Sequence, residues 1–284
     1  MREKQGYSIN PRDYINIAVG NCKKCGIDID LDNPRTIQSK LMWLNLYDDD
    51  IRKSDCADKV KLRDYCKEVL GKDICIPILK VWSSPNGIDF DELPTSFVLK
   101  CNHGSGMNIV VKDKDSLNKE EAISKLNCWM KKDYAFTNGF EAHYHDIERK
   151  VFAEKFVSDG HKTLCNYKVW CFNGEPRFYT IVDGEGYGTF MLFYDMENNP
   201  LPYKRKEFLN IPIYDIRMPS DIHLMGEYAR KLSNPFKFTR VDFYEIDGEI
   251  RLGELTFTPW SSIIRYEDQK HDIEIGDMLD LGKN

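Results

Sequence analysis

Two strand-like segments, Phe238–Ile246 and Glu249–Thr258, flank Asp247-Gly248, and the parity of their side chains limits how this chain can fold. Strand side chains alternate between faces, so a slip of one residue moves a whole apolar set from core to solvent. A two-residue turn would pair Ile246 with Glu249 and Asp242 with Gly253, separating Val241 and Phe243 from Leu255 and Phe257. A three-residue connection at 246–248, with Gly248 left-handed and a bulge, reunites them. The same register gathers Arg240, Asp242, Glu254 and Thr256 on the opposite face. Two adjacent carboxylates need a counter-charge, and an oxygen-only set suits Mg²⁺. The competing reading is a solvated face that Arg240 neutralises. Because the acids repel, Asp242→Asn is expected to cost little stability.

The rest of the chain reads as α+β. Residues 1–35 are polar, broken by Asn10-Pro11 and Asn33-Pro34, and predict loose structure. A helix is predicted over Thr36–Tyr47 with Thr36 as its cap, and a second over Asp55–Leu70 closed by Gly71. Strands are predicted at Ile74–Trp82, Phe97–Lys100, Met107–Lys112 and Lys150–Val157, with a helix over Asn118–Lys132. From Asn166 the pattern turns to antiparallel strands, Asn166–Phe172, Arg177–Val182 and the pair above, interrupted by a helix near Ser220–Leu232. Three regions follow: a mainly helical 1–73, a small α+β piece 74–157, and a larger sheet 158–284, with a hinge near 154–165.

The charge balance excludes some functions. Forty basic against forty-six acidic residues leave a net charge of −6, which argues against a nucleic-acid binder. No window approaches the roughly 18 apolar residues of a membrane span, and the N-terminal residues show no apolar signal segment. A cytoplasmic protein is expected. Nine cysteines, an odd number, are then expected as thiols. Cys22 and Cys25 form a CxxC with no second half-site, so no metal is expected there.

Phe97-Val98-Leu99-Lys100 runs into Cys101-Asn102-His103-Gly104-Ser105-Gly106, a strand-end lysine followed by glycines whose backbone can approach a phosphate. The spacing is not that of a P-loop, and a hairpin turn would look the same. Lys59 reads as a solvated helix residue, Val151–Val157 as an ordinary strand, and Lys168 as a cation on a strand edge.

Taken in order, these residues resemble the ATP-grasp superfamily, and more closely its TupA-like branch, which is named for teichuronopeptide biosynthesis. The resemblance runs from about Asn33 to Leu281. It is carried by Ala57-Asp58-Lys59, by Leu93-Pro94 with Phe97–Gly106, by Tyr167-Lys168 with Phe172-Asn173-Gly174, and by Gly253–Pro259. It implies an ATP-grasp fold, with a small lid subdomain and a larger antiparallel subdomain enclosing ATP. It also implies that Lys59 and Lys100 contact phosphates, that Gly104, Ser105 and Gly106 form a flap, and that the backbone of Glu154, Lys155, Phe156 and Val157 reads adenine. Asp242 and Glu254 would hold Mg²⁺ (or Mn²⁺), with Thr256 where many members have Asn, and Arg240 and Lys168 would be catalytic. Pro259-Trp260-Ser261-Ser262 stands where a glycine-containing loop is common. The implied activity is a carboxylate–amine ligase acting on a uronic-acid sugar or amino acid, on a nucleotide-sugar or lipid-linked glycan, in surface polysaccharide assembly. A kinase or a non-catalytic nucleotide-binding module is the alternative.

Overall fold

The computed structural model describes residues 11–137, 140–184, 189–208 and 216–282. Residues 1–10, expected to be loose, lie outside them. Pro11–Lys24 corrects the expectation by forming helix α1, while residues 25–35 are irregular as expected. Ala18 and Cys22 of α1, with Ile27 after it, are buried against Met42 and Leu46. Tertiary packing, more than local periodicity, therefore supports this helix. Helix α2 spans Ile37–Tyr47, and the Thr36 hydroxyl caps it by accepting from Ser39 N at 3.2 Å. Its Ile37, Leu41 and Leu44 face a second apolar cluster around Trp170 and Phe238, so α2 is wedged between two cores.

The single helix expected over Asp55–Leu70 is two: α3, Arg52–Ala57, and α4, Leu62–Leu70. Asp58 breaks it. Its buried carboxylate accepts from Val60 N at 2.8 Å, offering the backbone a local turn in place of helix. Gly71 ends α4 at φ 71°, as expected.

Strands β1 (Ile78–Trp82), β2 (Phe97–Cys101), β3 (Asn108–Val111) and β4 (Val151–Lys155) form an antiparallel sheet in the order β1-β4-β2-β3. Helix α5, Lys119–Met130, packs on it, capped by Asn118. The larger sheet contains β5 (Asn166–Phe172), β6 (Glu175–Asp183), β7 (Phe190–Asp195), β8 (Phe238–Ile246) and β9 (Glu249–Thr256), in the order β7-β6-β5-β8-β9. Strand β7 was not expected. Helix α6, Ile222–Ser233, covers one face of this sheet. Helix α2 and α7, Lys270–Gly276, pack over the other, with Lys40 Nζ donating to Gly276 O at 2.8 Å. The strand expected from Ile74 starts only at Ile78. Cys75 instead bridges to Leu252 of β9, and Ile74 O accepts from Leu252 N at 2.9 Å, joining the start of the small sheet to the edge of the large one. Among the described residues no helix is long and apolar enough to cross a membrane.

The β8–β9 connection overturns the predicted three-residue loop. Ile246 pairs with Glu249 across two residues, Asp247 at φ 53° and Gly248 at φ 75°, a turn whose twist matches the strands it joins. The compensating slip lies further along. Asp242 pairs with Glu254 but Phe243 with Leu252, so Gly253 is the extra residue of a bulge. A Cβ at 253 would lie 2.6 Å from the Tyr244 ring, which is why glycine occupies it. The apolar residues recover a common face, and the acids become direct partners on the other.

Candidate functional site

A cleft of about 180 Å³ opens where the two sheets meet. Lys59, Ile76, Lys100, Gly104, Ser105, Gly106, Met107, Glu154, Tyr244, Gly253 and Glu254 line it. Lys100 is the next-to-last residue of β2 and forms an ion pair with Glu154 of β4. The turn beyond β2 depends on both glycines. Gly106 takes φ 72°, and a Cβ on Gly104 would fall 2.4 Å from both Met107 and the Tyr134 ring. Lys59, expected inside a helix, lies in the break after α3. From there its Nζ donates to Gly104 O at 2.8 Å and approaches Glu254 Oε2 at 3.4 Å. One ammonium thus links the glycine turn to β9. Of the expected adenine-reading segment only Glu154 is among the lining residues, and the Lys155 amide donates to Pro77 O at 2.9 Å.

Behind Glu254 lies a buried charge cluster. Asp242 is 1% exposed and accepts from Arg240 Nε at 2.7 Å and Nη2 at 2.8 Å, a two-point pairing. Lys168 also pairs with Asp242. The edge position expected for Lys168 is corrected: β5 is the middle strand, and Lys168 stands directly opposite Asp242. Arg240 Nη2 donates to Thr256 Oγ1 at 3.2 Å, and Thr256 Oγ1 donates to Glu254 Oε1 at 3.3 Å. Burial opposes ionisation of Glu254, but Lys59, Lys168 and Arg240 outweigh it and hold the carboxyl at about 2. Burial lowers Lys168 from its ordinary value, against the pull of Asp242. Lys59, Lys168 and Arg240 against Asp242 and Glu254 leave one positive charge in surplus, suited to a polyphosphate. The competing reading of a solvated face does not hold for Asp242 and Arg240, which are buried. Asp242, Glu254 and Thr256 offer only oxygen donors, which fits a hard cation, and Glu254 is the one that reaches the cleft.

Several participants escape a reading of the sequence. Tyr244 and Gly253 become visible only once the bulge is placed. The loop Pro259–Ser262 carries three successive non-glycine residues in left-handed backbone, Trp260 (φ 51°), Ser261 (φ 54°) and Ser262 (φ 65°). Such conformations cost about 1 kcal/mol or more each unless their surroundings impose them. Glu141 supplies part of that constraint. It is buried and accepts from Thr258 Oγ1 and from Ser261 Oγ at 2.7 Å. Burial, with Glu254 adding to it, pushes the Glu141 carboxyl up to about 7. The Trp260 ring lies 3.8 Å from the Arg205 guanidinium and 5.1 Å from that of Arg240, so this loop abuts the charge cluster.

The model of the family described as TupA-like ATPgrasp matches residues 39–280. No curated protein matches the sequence. Solved structures similar to this chain include the D-alanine–D-alanine ligase of Bacillus anthracis, at 17% identity over 72% of this chain and 54% of that one, with a TM-score of 0.41. The ATP-grasp ligase PsnB is similar at 11% identity, over 72% of this chain and 54% of that one, also at 0.41. The N5-carboxyaminoimidazole synthase of Aspergillus clavatus is similar at 18% identity, over 73% of this chain and 45% of that one, again at 0.41. The chain therefore spans about half the length of these structures, and none is similar enough to assign a residue its role.

Proposed function

Because the chain belongs to the TupA-like ATP-grasp family, we propose that it is an ATP-dependent ligase that joins a carboxylate to an amine through an acylphosphate. The observation that carries this reading is Lys59, whose Nζ spans the glycine turn at Gly104 and the Glu254 carboxylate. It brings a phosphate-type cradle and an oxygen-donor strand to one cleft.

In this proposal Lys59 and Lys100 hold the phosphates, and Gly104, Ser105 and Gly106 cover them and exclude water. The backbone of Glu154, Lys155, Phe156 and Val157 would read the adenine edge, apart from the Lys155 amide, which is committed to Pro77. Glu254 would hold Mg²⁺, with Asp242 and Thr256 behind it. The metal, when bound, neutralises phosphate charge. Arg240 and Lys168 stabilise the charge spread over the phosphoryl group during transfer. The substrate carboxylate forms a bond to the γ-phosphorus as the bond to ADP breaks. The amine then displaces phosphate from the acyl carbon and loses a proton. The chain's own contribution is positioning and charge, with little covalent work.

We further propose that the carboxylate belongs to a uronic-acid sugar or an amino acid used in surface polysaccharide assembly, as the family resemblance implies. ADP release from ATP across a panel of such acids, with hydroxylamine as the amine, tests both points. A hydroxamate is the expected product. A stable phosphorylated substrate would identify a kinase instead.

A further inference from the structure

Away from the chemistry assigned above, the end of α4 and the segment after it bring three donors together. We propose that Cys66, Asp73 and Cys75 bind a divalent cation of the zinc class. The two thiol sulfurs and a carboxylate oxygen of Asp73 all lie within 4.8 Å of one another, and all nine cysteines are free thiols. This is the one such grouping of three among the described residues. The two cysteines are nine residues apart in sequence, outside any CxxC spacing, and the reversal at Gly71 (φ 71°) folds them together.

The three ligands are held from different sides. Cys66 belongs to α4, and its Sγ approaches Lys72 O at 3.4 Å. Asp73 Oδ1 accepts from Cys75 N at 2.9 Å, and Cys75 bridges to Leu252 of β9. Both cysteines are buried while Asp73 is only half-buried, so the cluster has one wet edge, where an ion can enter and a water can complete a tetrahedron. Two sulfurs among three donors favour zinc-like ions over the hard Mg²⁺ suited to Glu254. Two thiolates, one carboxylate and a divalent ion sum to −1, and Arg63 Nη1, 3.1 Å from Asp73 Oδ2, supplies the balancing charge. On binding, each thiol gives up its proton to solvent as its sulfur–metal bond forms. The ion would staple α4, which begins three residues after Lys59, to the strand that carries Glu254. This site is independent of the ligase reading.

Cobalt titration of the chelator-treated full chain tests it. One equivalent of Co²⁺ should produce thiolate-to-cobalt charge-transfer absorption and tetrahedral visible bands, both erased by Zn²⁺. Cys66→Ser and Cys75→Ser should each abolish the signal, while Cys22→Ser and Cys25→Ser leave it intact. Alkylation mapping of the unmutated chain covers the case in which a variant fails to fold. Because Cys66 and Cys75 are buried, the mapping is run through a urea series that opens them to the reagent, where added Zn²⁺ should slow their alkylation and leave the exposed Cys128 reactive. Absence of the cobalt bands in the folded chain, bands that survive both substitutions, or no protection by Zn²⁺ would each overturn the proposal.

Discussion

Asp242 stands between Arg240 and Lys168, and that placement reverses what its sequence neighbourhood suggests. Two neighbouring acids alone would repel, so neutralising one would be harmless. In the structure the carboxylate holds the buried Arg240 and the largely buried Lys168 apart. Asp242→Asn should therefore destabilise the fold by about 3–5 kcal/mol, the cost of leaving buried charges unpaired, as read by urea unfolding. Lys100 is different. Its side chain is 24% exposed, and although its partner Glu154 is buried both line the open cleft, so the carboxylate left behind faces water there. Lys100→Ala should lower ATP affinity by about tenfold or more, equivalent to about 1.4 kcal/mol, while the melting temperature moves little, and calorimetry distinguishes the two effects. Glu141 gives a pH signature. Its carboxyl is raised from 4.5 to about 7 in the fold, so protonation is favoured in the folded state. The associated stability is fully present below pH 4.5 and is lost as pH rises through about 7. Glu141→Gln should flatten the melting temperature across that window relative to the parent chain. Equal slopes for the two proteins would remove Glu141 as the cause.

At the scale of elements, the β8–β9 pair shows what parity determines and what it leaves open. The apolar residues Val241, Phe243, Leu255 and Phe257 demand one extra residue between the strands, and the structure contains it. They do not say where it goes. Asp247-Gly248 is a sound two-residue turn by itself, and the bulge falls at Gly253 because only glycine clears the Tyr244 ring. Gly253→Ala should cost about 1–3 kcal/mol by overpacking and displace the Tyr244 ring from the cleft wall. Denaturant unfolding together with ATP titration would show both effects, and unchanged values would mean that the ring yields freely. The helix break at Asp58 was hidden for a related reason. Good helix formers surround it, and only the buried carboxylate's bond to Val60 N reveals the turn that frees Lys59 to reach the cleft.

Over the whole molecule, the α+β class, the antiparallel character of the larger sheet, the cap of α2 and the co-location of Asp242 with Glu254 were legible from spacing and alternation. Features set by long-range packing were not. Helix α1 depends on α2, Lys168 is central because β5 pairs on both sides, and the left-handed run at Trp260–Ser262 is held partly by Glu141, more than a hundred residues earlier. The central claim is that the cleft between the two sheets receives Mg–ATP. Amide hydrogen exchange of the full chain with and without Mg–ATP tests it most directly. Protection should concentrate in residues 97–108, 151–157 and 252–256, the segments around Lys100, Glu154 and Glu254. Protection confined to other parts of the chain, with these three segments unchanged, would contradict it.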